Sequence, residues 1–168
     1  MSIGLWVRGA RPKTLATSIA SVMVGAAMAY AHIEQSGTCI AIYPEPASCA
    51  TAREQQTLLM DRFWPVTILC LLVALFLQIA VNYANDYSDG IRGTDAGRDT
   101  DESKSGKPQR LTASGLVSAE HVLFAAMICA AIACICGVVA VVLAQAWWLL
   151  AVGAASLLAG WFYTSGKH

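Results

Sequence analysis

Long apolar runs alternate with shorter polar stretches along this chain. The apolar runs cover approximately residues 14–33, 64–81, 122–144 and 147–162. A helical run of about 20 apolar residues matches the hydrocarbon thickness of a bilayer. The pattern therefore predicts an all-α, multi-pass transmembrane helical bundle with four crossings.

The polar stretches between these runs differ in character. Residues 34–63 contain Gly37, Pro44 and Pro46 among many polar residues, which indicates an irregular loop. Residues 82–120 are rich in aspartate, and only a very short turn around Gln145 separates the last two runs. We therefore expect one membrane domain over residues 1–168, with its longest loops after the first and second crossings.

Composition supports a membrane location. The chain has 168 residues, of which 57% are hydrophobic and 13% charged, and its mean hydropathy is +0.55. These values are too apolar for an ordinary soluble domain, so the lipid bilayer is the expected surrounding. No basic patch indicates a nucleic-acid partner. A cleaved signal peptide ending near Ala31 is the alternative for the first run, but that run is longer than the usual hydrophobic region of about 7 to 15 residues.

Basic residues predict the orientation. Arg8, Arg11 and Lys13 precede the first crossing, and five more basic residues follow the second crossing, within residues 92–110. Two crossings place both groups on the same side, which the positive-inside rule makes cytoplasmic. We expect a protein of the cell (inner) membrane with a cytoplasmic N-terminus, an external 34–63 loop and a cytoplasmic 82–120 loop. Cys39 and Cys49 of the external loop could form a disulfide if that side is oxidising.

The start of the cytoplasmic loop carries the clearest chemistry. If the second crossing continues as a helix, Asn82, Asp86 and Asp89 lie on one face, with Asn85 beside them. Oxygen ligands of this kind suit Mg²⁺, which binds one or two carboxylates and accepts phosphate oxygens from a substrate. Asp95 follows on the loop. A solvated helix end is the simpler alternative, although carboxylates there oppose the helix dipole and need a cation or a basic partner.

Cations near this cluster indicate an anionic substrate. Lys107 and Arg110 follow it in the loop, and Arg11 lies at the start of the first crossing. Mg²⁺ between carboxylates and phosphate oxygens, with Lys and Arg on the remaining oxygens, is the arrangement expected for a diphosphate. Each basic residue alone could instead set topology or contact lipid headgroups, which is the favoured interpretation for Arg98 and Lys104. No nucleotide-binding glycine loop is present.

Several motifs resemble the UbiA superfamily of intramembrane aromatic prenyltransferases, and most closely its 1,4-dihydroxy-2-naphthoate polyprenyltransferases of menaquinone synthesis. The stretch from Asn82 to Asp95, NYANDYSDGIRGTD, is similar to the first aspartate-rich motif of that superfamily. Shorter similarities are RPKT from Arg11, RLTASG from Arg110, and the sequence from Gly160 to His168. The likeness extends over nearly the whole chain except 34–62.

The resemblance implies a reaction and roles for the residues. A polyprenyl group would pass from its diphosphate to an aromatic acceptor, here dihydroxynaphthoate, which also loses its carboxylate and gives demethylmenaquinone. Asp86 and Asp89 would be catalytic through Mg²⁺, and an apolar cavity would hold the lipid tail. The expected metal ligands are Asn85, Asp86, Asp89 and Asp95, and the expected diphosphate contacts are Arg11, Asn82, Lys107 and Arg110.

The resemblance also marks departures. Members of the superfamily resemble bundles of about nine crossings with a second aspartate-rich motif, so this chain looks like an N-terminal fragment that is inactive without a missing C-terminal half. The basic segment from Lys104 to Arg110 differs from the usual form, and either Asp89 or Asp95 could complete the metal site. Another branch of the superfamily, a cation transporter and a structural membrane protein are the competing functions. A transporter predicts ionisable residues deep in the crossings, where only the polar Gln78 and Asn82 are found.

Overall fold

A computed structural model describes residues 3–36, 46–92, 111–112 and 117–165. These residues form helices and connecting turns, with no strand in the described ranges. The helices are α1 (Ile3–Gly9), α2 (Pro12–Ser36), α3 (Pro46–Arg92), α4 (Ala119–Ala144) and α5 (Leu149–Ser165). The predicted all-α membrane bundle is confirmed as the fold class.

Helix α3 is the central element. It packs most extensively against α4 and next against α2, and it makes smaller contacts with α1 and α5. Three helices, α2, α3 and α4, are long and apolar enough to cross a bilayer, and they contain the first three predicted crossings. The apolar part of α5, Leu149–Gly160, is shorter. The number of crossings and their exact limits remain predictions.

The expectation of an irregular loop over 34–63 is wrong for most of that range. Helix α2 continues to Ser36 and α3 begins at Pro46, so most of this polar stretch is helical. The physical reason is composition, since the residues after Pro46 are mainly Ala, Arg, Glu, Gln, Leu and Met, which favour helices. Proline is also well tolerated in the first turn of a helix, where its missing N–H would have no partner.

The other end of α3 also extends beyond the predicted crossing. The helix continues through Asn82, Asp86 and Gly90 to Arg92. The aspartate-rich motif up to Arg92 is therefore part of α3, and the side chains of that part have fixed helical spacing.

A turn joins α4 to α5 at the predicted place. Gln145 adopts left-handed backbone angles, with φ 55° and ψ 28°. The N–H of Ala146 then bonds the carbonyl of Val141 at 3.2 Å, which satisfies a carbonyl at the end of α4. Cys49 on α3 is disulfide-bonded, whereas Cys39 lies outside the described residues. The four cysteines in apolar runs are free: Cys70, Cys129, Cys134 and Cys136.

The best-packed part of the protein lies at the Asn82 end of α3. Its buried residues come from the turn before α2, from α3, from the stretch before α4 and from α4 itself. They are Ala10, Tyr83, Leu111, Val117, Val122 and Ala126. Trp6 of α1 packs edge-on against Tyr83, whose hydroxyl donates to the Trp6 carbonyl at 2.9 Å. The candidate site thus lies beside the main cluster of buried residues in the described chain.

Candidate functional site at the end of helix α3

Polar burial in the described residues is concentrated in one short stretch of α3. Asn82 is 4% exposed, Asp86 is 2% exposed and Ser88 is 8% exposed. Buried polar groups are costly unless they are hydrogen-bonded, so the partners of each define what the stretch does.

Asn82 connects α3 to the turn between α1 and α2. Its Nδ2 donates to the carbonyl of Ala10 at 2.8 Å and to Oγ1 of Thr14 at 3.0 Å. Its Oδ1 accepts from Nε2 of Gln78 at 3.4 Å, and Oε1 of Gln78 accepts from the Ser18 hydroxyl at 3.2 Å. The amide of Asn82 therefore uses both of its protons and one acceptor on protein groups.

The turn that Asn82 holds contains Arg11. This residue has φ 53°, a left-handed conformation that is uncommon for a residue other than glycine. Its carbonyl accepts from both the N–H and the Oγ1 of Thr14, each at 2.9 Å, which starts helix α2. Thr14 thus links the Asn82 side chain to the Arg11 backbone. The structure places Arg11, half-buried, at the same end of α3 as the aspartate-rich motif.

Asp86 is hydrogen-bonded to Leu111 and Thr112, which precede α4 in the sequence and contact α3. Its Oδ2 accepts from the N–H of Leu111 at 2.7 Å, and its Oδ1 accepts from Oγ1 of Thr112 at 2.8 Å. The same Thr112 hydroxyl lies 2.7 Å from the carbonyl oxygen of Asp86. Both carboxylate oxygens therefore have protein donors, and these hydrogen bonds to a charged acceptor are of the stronger kind.

Two glycines make room for these returning residues. A Cβ at Gly90 would lie 2.4 Å from Oγ1 and 2.5 Å from Cβ of Thr112. A Cβ at Gly9 would lie 2.6 Å from Cδ1 of Leu111, a side chain that is fully buried. We call the contact of Asp86 and Gly90 with Leu111 and Thr112 the Asp86 clasp. It depends on close approach at Gly90, which any larger side chain would prevent.

Asn85 and Asp89 lie one helical turn apart on α3, beside Asn82. Both are half-buried. Because α3 is continuous to Arg92, Asp89 keeps the helical spacing to Asn82 and Asp86 that the sequence analysis used. Among the described residues, no group of three or more His, Cys, Asp or Glu side chains is placed to hold a metal ion. The remaining predicted ligand, Asp95, and the predicted cations Lys107 and Arg110 lie outside the described residues.

Sequence reasoning missed the partners of the buried polar residues. Thr14 and Thr112 were not singled out, although each donates or accepts at the centre of a buried network. The spacing of Asp86 and Gly90, one turn apart on the same face, was the available signal of a close approach. No local pattern identifies Thr112 as the group that approaches, because 26 residues separate it from Asp86.

An apolar cavity of about 400 Å³ lies at the opposite end of the bundle, between α2, α3 and α4. Its walls include Ala29 of α2, Phe63 and Cys70 of α3, and Leu143 of α4. Arg62 is also part of the lining and donates to the Leu143 carbonyl at 3.3 Å. With a rise of 1.5 Å per residue, Cys70 is about 24 Å along α3 from Asp86, so the cavity is separate from the polar site.

The comparisons with known proteins agree with the motifs. The profile of the UbiA prenyltransferase family matches residues 57–168. The 1,4-dihydroxy-2-naphthoate octaprenyltransferase of Mycobacterium tuberculosis is 39% identical, covering 99% of this chain and 45% of the relative. The Mycobacterium leprae protein of the same name is 35% identical with the same coverage, and the Escherichia coli one is 28% identical over 97% of this chain and 44% of its own length. This chain therefore spans a little under half the length of these relatives. No solved structure matches.

Proposed function

Because this chain belongs to the UbiA prenyltransferase family, we propose that its gene product transfers a polyprenyl group from polyprenyl diphosphate to 1,4-dihydroxy-2-naphthoate. The observation that supports 1,4-dihydroxy-2-naphthoate as the acceptor is the similarity, over 99% of this chain, to proteins named for that substrate. Since those relatives are more than twice as long, we propose that this chain alone binds the donor weakly and has little or no transferase activity.

The site end of α3 supports a divalent metal, for which we propose Mg²⁺. Asn85 and Asp89 offer oxygen donors one turn apart, and Asp95 follows in the sequence. Hard oxygen donors with one or two carboxylates are the set that Mg²⁺ prefers. Asn85, Asp86, Asp89 and Asp95 would hold the ion, and when bound it would neutralise negative charge on the diphosphate. Asp86 accepts one hydrogen bond on each carboxylate oxygen, which leaves lone pairs for a metal, and ligating carboxylates are commonly held by such hydrogen bonds.

The chain's own residues account for the other requirements of the reaction. The bond between the first prenyl carbon and the diphosphate oxygen breaks, and a carbon–carbon bond to the ring forms as the acceptor loses its carboxylate as CO₂. Arg11, Lys107 and Arg110 would contact the diphosphate and stabilise it as it leaves. The turn held by Asn82 presents Arg11. Asn82 would act through that turn, because its amide protons are already donated to Ala10 and Thr14.

The bundle would also exclude water from the allylic cation. Helices α2 and α4 are long and apolar enough to cross a bilayer, which would surround them and keep water away. We propose that the site faces the cytoplasm in the cell inner membrane, as the basic residues indicate. The disulfide at Cys49 supports this orientation, because it belongs to the opposite end of α3 and disulfides form in oxidising compartments.

Metal-dependent binding tests the proposal. Radiolabelled geranylgeranyl diphosphate should bind the gene product in detergent with Mg²⁺ and lose at least tenfold in affinity when EDTA replaces it. Asp89→Ala should cause a comparable loss, whereas Glu54→Ala, an exposed acid at the other end of α3, should not. Equal binding with and without Mg²⁺, or no effect of Asp89→Ala, would contradict it.

A further inference from the structure

Helix α1 lies directly before the first helix that is long enough to span a membrane. It ends at Gly9, and α2, which is apolar enough to cross a bilayer, begins at Pro12. Because two residues separate the helices, α1 lies close to the point where α2 enters the hydrocarbon. A short helix at that point is within reach of the lipid headgroups, which form a layer on each side of the hydrocarbon core.

One face of α1 is fixed against the rest of the protein. The Trp6 and Tyr83 rings meet edge-on with their centroids 5.6 Å apart, and the Trp6 carbonyl accepts from the Tyr83 hydroxyl at 2.9 Å. Leu5 packs against the same buried cluster. A Cβ at Gly9 would lie 2.6 Å from Cδ1 of Leu111, so the helix approaches its neighbours closely there. These contacts determine which side chains of α1 face away from the protein.

The outward side chains of α1 combine aliphatic groups with a cation. Ile3 is 82% exposed and Val7 is 51% exposed, and their spacing of four residues places them on one side of the helix. Arg8 is exposed next to Val7, and Lys13 in the first turn of α2 is a second exposed cation at this end of the bundle. Exposed aliphatic groups together with cations are typical of a helix that lies in the membrane interface.

The charges in this segment have one sign. Residues 3–14 contain Arg8, Arg11 and Lys13 and no Asp or Glu. A Lys or Arg near an anionic membrane surface contributes about 1 kcal/mol to the attraction. A zwitterionic headgroup has no net charge, so the segment is complementary to anionic phospholipid in particular.

We propose that Ile3, Val7, Arg8 and Lys13 form a binding surface for anionic phospholipid. Ile3 and Val7 contact the upper part of the acyl chains, while Arg8 and Lys13 bind the headgroup phosphates, as long cationic side chains do when their stems lie along apolar surface. Arg11 does not belong to this surface, because it is half-buried in the turn between the helices. The surface is an addition to the proposed function and does not depend on it.

A tryptophan at position 7 tests the contact with acyl chains. The Val7→Trp gene product would be reconstituted in phosphatidylcholine vesicles, and the fluorescence of the unsubstituted protein in the same vesicles would be subtracted. Brominated acyl chains quench tryptophan at close contact. Vesicles of brominated phosphatidylcholine should therefore quench the added fluorescence by at least half. Weaker quenching would mean that protein or water covers this face of α1, and would overturn the proposal.

The same probe measures the preference for anionic headgroups. All vesicles would contain one phosphatidylglycerol to three phosphatidylcholine, with bromine either on the phosphatidylglycerol or on an equal amount of the phosphatidylcholine. Bromine on phosphatidylglycerol should quench the Val7→Trp fluorescence at least twice as strongly. Adding Arg8→Gln and Lys13→Gln should make the two equal, whereas the matched control Arg53→Gln, an exposed cation near the other end of α3, should keep the preference. Equal quenching before these changes, or a preference that survives the double substitution, would contradict the role of the two cations.

Discussion

The Asn82 end of α3 and the apolar part of α5 show opposite relations between polarity and burial. Asn82 and Asp86 are polar and almost fully buried, whereas Leu149–Gly160 is apolar and exposed along its length. In a soluble protein this arrangement would be unfavourable in both places. In a membrane protein, exposed apolar side chains meet lipid or further protein at little cost, while buried polar groups must find partners inside the chain. Polar burial is therefore the more informative signal of specific structure in this chain.

The largest effect should come from the glycine that makes the clasp possible. Gly90→Ala places a Cβ 2.4 Å from Thr112 Oγ1 and 2.5 Å from Thr112 Cβ, so Thr112 has to leave its position. We expect a loss of about 3 kcal/mol or more in unfolding free energy, at the upper end of overpacking costs. Reversible unfolding in mixed detergent micelles measures it.

Gly25→Ala and Gly153→Ala are matched controls, because a Cβ at either position meets nothing within 4 Å. Both should be neutral or stabilising by up to about 1 kcal/mol, since alanine has the higher helix propensity. If Gly90→Ala were as stable as these two variants, the close contact between Gly90 and Thr112 would not be important for stability.

The Asn82 amide should have the next largest effect. Asn82→Leu has similar size but leaves the Ala10 carbonyl and the Gln78 amide without their buried partner. Each unpaired group costs about 1 to 3 kcal/mol, and the left-handed turn at Arg11 loses its support. Hydrogen exchange across Ala10–Thr14 should accelerate, while exchange in the middle of α4 should not. Unchanged exchange at Ala10–Thr14 would show that other contacts hold this turn.

A smaller effect is expected at Arg62, on the cavity side of the bundle. Its side chain is exposed, and its hydrogen bond to the Leu143 carbonyl is long at 3.3 Å. Arg62→Met keeps much of the stem and should lower the unfolding free energy by less than about 1 kcal/mol. A loss as large as that of Asn82→Leu would mean that polar contacts stabilise both ends of α3 equally.

The smallest effect should come from α5. Val152 is 48% exposed and Leu158 is 61% exposed, so Val152→Ala and Leu158→Ala remove few contacts within the described residues. Each should change the unfolding free energy of this chain by less than about 0.5 kcal/mol. If the same substitutions destabilised the gene product by 2 kcal/mol or more, this face would be covered there by further protein rather than by lipid.

The sequence alone predicts most of the helices, but it does not predict the polar contacts between them. Apolar runs of bilayer length located α2, the middle of α3 and α4, because length and hydropathy alone determine a crossing. The polar start of α3 was missed, since its charges and Pro46 suggested a loop although its residues favour a helix. Asn82 and Asp86 were identified as candidate site residues, but their hydrogen-bond partners Ala10 and Leu111 could not be predicted, because these are distant in sequence.

The coupling between Asp86 and Thr112 is the most direct test of the claim that buried polar contacts organise this end of α3. A double-mutant cycle would compare the unfolding free energies of Asp86→Ala, Thr112→Val, the double variant and the wild type. We predict a coupling free energy of about 1.5 to 3 kcal/mol, as expected for a buried hydrogen bond to a charged group. Additive losses, with a coupling free energy within about 0.3 kcal/mol of zero, would contradict the account.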